Sequence, residues 1–182
     1  DPVVRHLALR PDAKAHLVLR IFILRGMARR RSERAEREDE SEGAFRAAAQ
    51  ARGFSCLIDS AGTASYHIGS QPDPRAIAVA SNRGIDIAGQ AARQIDRDDF
   101  FRFTHIIAMD RANLESLRAR TPRDATAKLA MLMDSVEGRR GEPVADPYYG
   151  DTASFEAAWN VINLGVEAWA ERLMREAAGI RA

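Results

Sequence analysis

Short apolar runs alternate along the chain with segments whose apolar residues recur at a helical spacing. The first run is rich in β-branched and aromatic residues, and all are short, which predicts buried strands. The runs cover residues 17–24, 56–59, 104–109 and 127–133. The helical segments cover residues 41–53, 75–83, 112–120 and 152–177. The alternation predicts a three-layer α/β fold with a four-stranded parallel sheet and helices on both faces.

The last helical segment carries one long apolar stripe. Its members are Phe155, Trp159, Ile162, Val166, Trp169 and Leu173. The spacing predicts that both tryptophans belong to the core rather than to a cofactor site. In an open parallel sheet, ligands bind beyond the carboxyl ends of the strands. We therefore expect the functional residues in the loops that follow the strands.

The pattern changes between Arg25 and Glu42, where six arginines and six acidic residues occur, with the basic half first. Charge runs of this kind are usually solvated. We predict an N-terminal tail at residues 1–16 and a single domain at 17–182, with a charged insert at about 31–40 that is exposed and mobile. An anion-binding arginine cluster is the alternative interpretation of the same run.

Charge and cysteine content narrow the class of protein. Lys plus Arg total 27 and Asp plus Glu 26, so the net charge is +1, whereas a dedicated nucleic-acid binder shows a clear basic excess. With Cys56 as the one cysteine, no disulfide framework can form, and a reducing, cytoplasmic setting is expected. No stretch approaches the ~18 apolar residues of a membrane span. We expect no nucleic-acid partner and no membrane partner.

The sequence contains no pattern of residues that is typical of a metal site. His6, His16 and His105 are scattered along the chain and lack the spacing of a metal site. We interpret them as surface or packing residues and expect no metal and no cofactor.

A candidate catalytic carboxylate lies in the segment Asp146-Pro147-Tyr148-Tyr149-Gly150. The proline restricts the aspartate, and an acid on a constrained loop suits general-acid catalysis. Taken alone the segment is also compatible with an ordinary turn, because Asp-Pro and Tyr-Gly are common turn pairs.

Six further motifs precede this segment in order. They are Asp59-Ser60-Ala61-Gly62-Thr63, Tyr66-His67-Ile68-Gly69, Pro72-Asp73, Ala92-Arg93-Gln94-Ile95, Ile107-Ala108-Met109-Asp110 and Asn113-Leu114. Together with the Asp146 segment, they resemble the low-molecular-weight protein-tyrosine phosphatase family in order and spacing. The resemblance covers about residues 41–175.

The resemblance implies hydrolysis of phosphotyrosine proteins or small aryl phosphates through a cysteinyl-phosphate, by a cytoplasmic monomer that needs no metal or cofactor. A Cys-x5-Arg loop after the first strand would cradle the phosphoryl oxygens with backbone N–H groups. The same field would lower the pKa of the cysteine thiol. Asp146 would protonate the departing tyrosine oxygen.

The resemblance also implies further site residues. Tyr66, Tyr148 and Tyr149 would line the substrate pocket. Asp110 and Asn113 correspond to family residues near the site, although Asp110 taken alone is predicted to be a helix N-cap.

The phosphate loop departs from the family pattern. Aligning the first strand puts Leu24 at the position of the nucleophilic cysteine. Gly26 matches the loop glycine, and Arg30 stands six residues after Leu24, where the phosphate-binding arginine belongs. Cys56 is not a substitute, because the residue six positions later is Gly62 rather than an arginine. A cysteine among apolar residues is typically buried and inert.

Three hypotheses remain open. In the first, the protein is a member of the phosphatase family that is inactive as written because Leu24 replaces the cysteine. In the second, the first coding segment is misread and the native protein is an active phosphatase. In the third, the protein binds phosphate or an acidic partner without catalysis.

Overall fold

A computed structural model of the chain describes residues 19–25, 37–54, 56–63 and 68–178. The order of elements is β1 (Leu19–Arg25), α1 (Arg37–Ala51), β2 (Cys56–Gly62), α2 (Pro74–Ser81), α3 (Asp99–Arg102), β3 (His105–Ala108), α4 (Arg111–Arg120), β4 (Lys128–Met131), a 3-10 helix (Leu132–Ser135) and α5 (Thr152–Ala177). The strands form one four-stranded sheet in the order β2-β1-β3-β4. Every neighbouring pair is parallel.

The register aligns the carboxyl ends of the strands at one edge of the sheet. Leu24 of β1 pairs with Ala61 of β2 and with Ala108 of β3. Gly62, the last residue of β2, pairs with Arg25 of β1 on one side and forms a parallel bridge with Gln94 on the other. The segment before α3 therefore extends the sheet by a short stretch on the outer side of β2.

Each face of the sheet is covered by its own apolar cluster. Successive side chains of a strand point to opposite faces, and Ile107 and Ile106 of β3 accordingly belong to different clusters. One cluster joins α1, α2 and α5 through residues such as Phe45, Val79, Phe155, Trp159 and Trp169. The other joins α3 and α4 through Phe100, Phe103, Leu114 and Leu117. Helices thus cover both faces, which confirms the predicted three-layer fold.

The first helix begins earlier than the pattern predicted. It starts at Arg37 rather than Ser41, and Glu40 is 0 % exposed. Glu40 precedes the buried Ala44 by four residues, so both lie on the same face of the helix. The prediction that residues 31–40 are exposed is therefore wrong at Glu40. Residues 31–36 and the predicted tail, 1–16, lie outside the described residues.

Two further differences have local causes. Strand β4 ends at Met131 instead of residue 133, because the Asp134 carboxylate accepts the Met131 N–H at 2.9 Å and the chain turns into the 3-10 helix. The short helix α3 was not predicted, since four residues are too few to show a helical period. Helix α5 has the predicted bounds, with Asp151 as its N-cap.

Candidate active site

The position predicted for the nucleophile lies at the centre of the carboxyl-end edge. Leu24 is one residue before the end of β1, between Ala61 and Ala108 of the neighbouring strands. The loop that follows a central strand in such a sheet is the usual place for a ligand. Gly26 and Arg30, the predicted phosphate-binding residues, lie outside the described residues, as does Tyr66.

The Asp146 segment reaches the same edge. The Val144 N–H donates to the carbonyl of Met109 at 2.9 Å, and Met109 directly follows β3. Asp146 comes two residues after Val144, which places it within about 7 Å of that anchor along the chain. Its side chain is exposed. The structure therefore holds the candidate acid beyond the carboxyl ends of the strands.

The loop of residues 146–150, which we call the acid loop, is shaped by its own hydrogen bonds. A carboxylate oxygen of Asp146 accepts the Tyr148 N–H at 3.1 Å, the usual way in which aspartate folds a turn. The Gly150 N–H donates to the carbonyl of Pro147 at 2.8 Å. A side chain at Gly150 would collide with Ser154 in the first turn of α5. The loop is thus a compact turn that leads directly into α5.

The two tyrosines of the acid loop pack against each other. Their rings meet edge to face, with centroids 5.0 Å apart and an interplanar angle of 86°. Tyr148 is half-buried, while Tyr149 is 74 % exposed. An exposed aromatic beside a carboxylate offers a surface on which an aromatic ring can stack.

Arg75 fastens the acid loop to α2, a role that sequence reasoning missed. Its guanidinium donates to the carbonyl of Gly150 at 2.9 Å and to that of Tyr148 at 3.2 Å. It also forms an ion pair with Asp73 at 3.0 Å and lies 4.3 Å from the centroid of the Phe155 ring. The sequence Asp-Pro-Arg at a helix start was the available signal.

Asp73 completes this connection as the N-cap of α2. Its carboxylate accepts the Arg75 N–H at 2.7 Å. The same carboxylate therefore caps the start of α2 and orients the arginine that holds the acid loop. The start of α2 and the acid loop are in this way joined on the same side of the sheet.

Asp110 and Asn113 lie together just after β3. Asp110 is the N-cap of α4 and accepts the Asn113 N–H at 2.8 Å; its carboxylate also accepts the Asn113 amide. Asn113 is fully buried. The predicted N-cap role of Asp110 is thus present, and both residues lie at the carboxyl-end edge.

Helix α1 places two polar side chains, Ser41 and Glu42, near this edge. The Ser41 hydroxyl lies 3.8 Å from the sulfur of Met109, and the Ser60 hydroxyl donates to Glu42. Burial is the largest cause of the raised pKa of the Glu42 carboxyl, partly offset by Ser60 and Arg46. These contacts fix the start of α1 beside β2 and β3.

Cys56 lies at the opposite end of the sheet. It is the first residue of β2 and pairs with Leu19 at the start of β1. Five residues separate it from Ala61, a distance of about 17 Å along a strand. Burial raises the pKa of its thiol to about 11. A thiol with that pKa is almost entirely protonated at neutral pH and is a poor nucleophile.

Clusters that could hold a metal and helices that could span a membrane are both absent from the described part of the chain. Within it, no group of three or more His, Cys, Asp or Glu side chains is placed to hold a metal ion. None of its helices is both long and apolar enough to pass through a lipid bilayer.

The chain is similar to known proteins over most of its length. Residues 33–178 match the family model described as "Low molecular weight phosphotyrosine protein phosphatase". The low molecular weight protein-tyrosine-phosphatase YfkJ of Bacillus subtilis is 34 % identical over 142 residues, which cover 77 % of this chain and 90 % of that protein. The low molecular weight phosphotyrosine protein phosphatase of Sus scrofa is 35 % identical over 57 % of this chain and 65 % of its own length.

Solved structures show the same similarity in three dimensions. A protein tyrosine phosphatase from Entamoeba histolytica, crystallised with Hepes in its active site, superimposes with a TM-score of 0.76 at 25 % identity. The superposition covers 87 % of this chain and 98 % of that one.

Proposed function

Because the chain belongs to the low molecular weight phosphotyrosine protein phosphatase family, we propose that it keeps the acid side of a phosphotyrosine site but does not form a cysteinyl-phosphate as written. The acid side consists of Asp146, with Tyr148 and Tyr149 as walls of the substrate pocket. Asp110 and Asn113 support the same edge. Tyr66 is proposed as a further wall, and Gly26 and Arg30 as phosphate ligands, on the family resemblance alone.

The observation that carries this proposal is the place of the one cysteine. Covalent phosphoryl transfer needs a thiolate in line with the phosphorus. Leu24 occupies the central position at the carboxyl-end edge and has no lone pair. Cys56 lies about 17 Å away along β2, and burial raises the pKa of its thiol to about 11. Neither residue can therefore start the reaction at the edge where the acid loop lies.

Without a nucleophile, the acid loop accelerates hydrolysis of a phosphate ester very little. Asp146 can donate a proton to a leaving oxygen, but only while a nucleophile displaces that oxygen. Members of a catalytic unit act together, so loss of one forfeits most of the effect of the others. The role left to the chain as written is binding of a phosphate, an aryl phosphate or an acidic partner without turnover. A cytoplasmic, monomeric protein without nucleic-acid or membrane partners stays a prediction from the sequence.

A second candidate function is supported by where the family match begins. The match starts at residue 33, after the whole of β1 and after the positions aligned with the phosphate loop. A misread first coding segment would leave a family-like chain from that point on and an unrelated sequence before it. The native protein would then be an active phosphotyrosine phosphatase. The nucleotide sequence across residues 15–45 decides this, since a Cys-x5-Arg-Ser pattern in another frame or exon would support it.

Hydrolysis of p-nitrophenyl phosphate in the presence of EDTA tests the first proposal. We expect the protein as written, Asp146→Ala, Cys56→Ser and the control Glu115→Ala, an exposed carboxylate on α4, all to match the buffer rate. Leu24→Cys alone should also stay inactive, because Arg25, Met27 and Arg31 depart from the family loop. Turnover that falls sharply in Asp146→Ala but not in Glu115→Ala would overturn the proposal, and loss in Cys56→Ser would identify the nucleophile.

A further inference from the structure

A cavity lies away from the acid loop, between the start of α3 and the loop after α4. Its volume is about 550 Å³, and its charged lining includes Arg97, Arg120 and Arg123. Small-molecule sites commonly have volumes of about 300–1,000 Å³. Arg120 ends α4, whose N-cap, Asp110, lies at the carboxyl-end edge. Ten helical residues separate the two ends by about 15 Å, so this cavity is distinct from the candidate active site.

Three exposed arginines line the cavity. Their side chains form no ion pair and no hydrogen bond with any residue that the structure describes. Several other arginines are paired across elements: Arg52 pairs with Glu167, and Arg93 pairs with Asp59 and Asp99. The three guanidinium groups outnumber the two carboxylates of the same lining, Asp96 and Asp124, so the cavity keeps a net positive charge that attracts an anion. Guanidinium groups bind phosphate through paired N–H donors.

Apolar side chains and two carboxylates complete the lining of the cavity. Ile95 and Phe100 close the base and belong to the apolar cluster of this face. Asp96 and Asp124 also line the cavity, and both are exposed. A carboxylate near three arginines accepts hydrogen bonds from hydroxyl or amino groups. The lining therefore suits a ligand with phosphate, an apolar ring and hydrogen-bond donors.

The walls are held in place by hydrogen bonds from backbone N–H groups to a side-chain carboxylate and to a backbone carbonyl. A carboxylate oxygen of Asp96 accepts the N–H groups of Asp98 and Asp99 at 2.8 and 3.1 Å. The carbonyl of Phe100 accepts the N–H groups of Thr126 and Ala127 at 3.2 and 3.0 Å. These bonds tie the loop after α4 to α3. A cavity formed in advance loses less freedom when a ligand binds.

We propose that this cavity, which we call the arginine pocket, binds a nucleoside phosphate. The phosphate groups would lie between Arg97, Arg120 and Arg123, the base would lie on the apolar floor, and the ribose hydroxyls would donate to Asp124. The proposal uses no residue of the acid loop or of the phosphate loop. It therefore holds whether or not the chain hydrolyses aryl phosphates.

Isothermal titration of the purified chain with ADP tests the proposal. We expect ADP to bind, and affinity to fall with added salt because the contacts are between exposed charges. The double variant Arg120→Ala/Arg123→Ala should bind ADP at least tenfold more weakly. Its matched control is Arg111→Ala/Arg118→Ala, which removes two exposed arginines of α4 that do not line the cavity and should leave the affinity unchanged. Pyrophosphate and adenosine should each bind more weakly than ADP.

Backbone amide NMR shows where ADP binds, and melting temperatures show that the variants stay folded. Shifts confined to residues 95–100 and 120–124 would support the proposal. Equal binding of pyrophosphate and ADP would overturn the nucleoside part, since it would leave a simple anion site. Absence of ADP binding at millimolar concentration, unchanged binding in Arg120→Ala/Arg123→Ala, or shifts confined to the acid loop would each overturn the proposal as a whole.

Discussion

The two faces of the sheet differ in how their arginines are used. On the face of α1, α2 and α5, arginines pair with carboxylates across elements, as Arg52 does with Glu167 and Arg83 with Glu156. On the face of α3 and α4, Arg93 is paired with Asp99, but Arg97, Arg120 and Arg123 line a cavity and form no ion pair with a described residue. Paired arginines on one face fasten helices to one another. Unpaired arginines around a cavity add little to the fold and are available to a ligand.

The cores beneath the two faces also differ in size. The cluster under α1, α2 and α5 contains both tryptophans, and it is covered by three of the four described helices that have eight or more residues. The cluster under α3 and α4 is smaller and is built around Phe100, Phe103 and Leu117. Substitutions on the first face should therefore affect stability most, and substitutions at the arginine pocket least.

The largest effect is expected for Trp169→Ala. This side chain is 1 % exposed, and its indole N–H donates to the carbonyl of Leu132 at 2.8 Å. Truncation should lower the free energy of unfolding by about 4 kcal/mol, compared with about 3 kcal/mol for Leu117→Ala on the other face. Urea denaturation measures both values. If Leu117→Ala left the transition unchanged, the second face would not belong to the cooperative unit.

An intermediate, pH-dependent effect is expected for His105, which is buried in β3 against the edge of the Trp169 ring. Burial is the main cause that lowers the pKa of His105 below 6.5; Lys128 and Arg172 also lower it, while Glu176 opposes them. The unfolded chain then binds a proton before the folded one does. The contribution of neutral His105 to the free energy of unfolding should therefore be fully present above about pH 6.5. It should be lost as the pH falls through the pKa of His105 in the folded protein.

The comparison with His105→Gln isolates this effect, because both proteins share every other titrating group. Unfolding free energies at several pH values below 7 should fall more steeply for the parent than for the variant. Parallel curves would show that His105 does not contribute to the pH dependence.

The smallest effects separate the two kinds of arginine. Arg52 pairs with Glu167 and donates to the carbonyl of Ala48 at 3.2 Å, so Arg52→Ala should cost about 1 kcal/mol of stability. Arg123→Ala should stay within about 0.5 kcal/mol of the parent. Thermal unfolding at low salt compares the two. A larger loss for Arg123→Ala than for Arg52→Ala would contradict the distinction between the faces.

The first face was also the easier one to predict from sequence. Helix α5 could be predicted from the Asp151 N-cap and from six apolar residues at helical spacing, so its bounds follow from the local sequence. Helix α3 has four residues and is held by Asp96 and Asp99, whose roles depend on the fold around them. Helix α1 begins within the charged run, and the burial of Glu40 there contradicts the expectation that charged residues are solvated.

The candidate site likewise contains residues that could be predicted from the sequence and residues that could not. Motif order and the open-sheet rule were enough to predict that Asp146 lies beyond the carboxyl ends of the strands. Arg75 was missed because its partners are the carbonyls of Tyr148 and Gly150, more than seventy positions away along the chain. The Asp73-Pro74-Arg75 sequence indicates a helix start, but a single sequence does not show which distant carbonyls the arginine contacts. The arginine pocket was missed for the same reason, since it joins residues from α3, α4 and the loop between α4 and β4.

A single-turnover experiment tests the central claim most directly. The purified chain, in excess over p-nitrophenyl phosphate and with EDTA present, is mixed and followed for release of p-nitrophenol, and the protein is then analysed by intact mass spectrometry. Because Leu24 stands at the nucleophile position and Cys56 lies at the far end of β2, release should equal that of buffer alone and the protein mass should stay unchanged. Complete release above the buffer rate, or a protein carrying one added phosphoryl group, would contradict the claim.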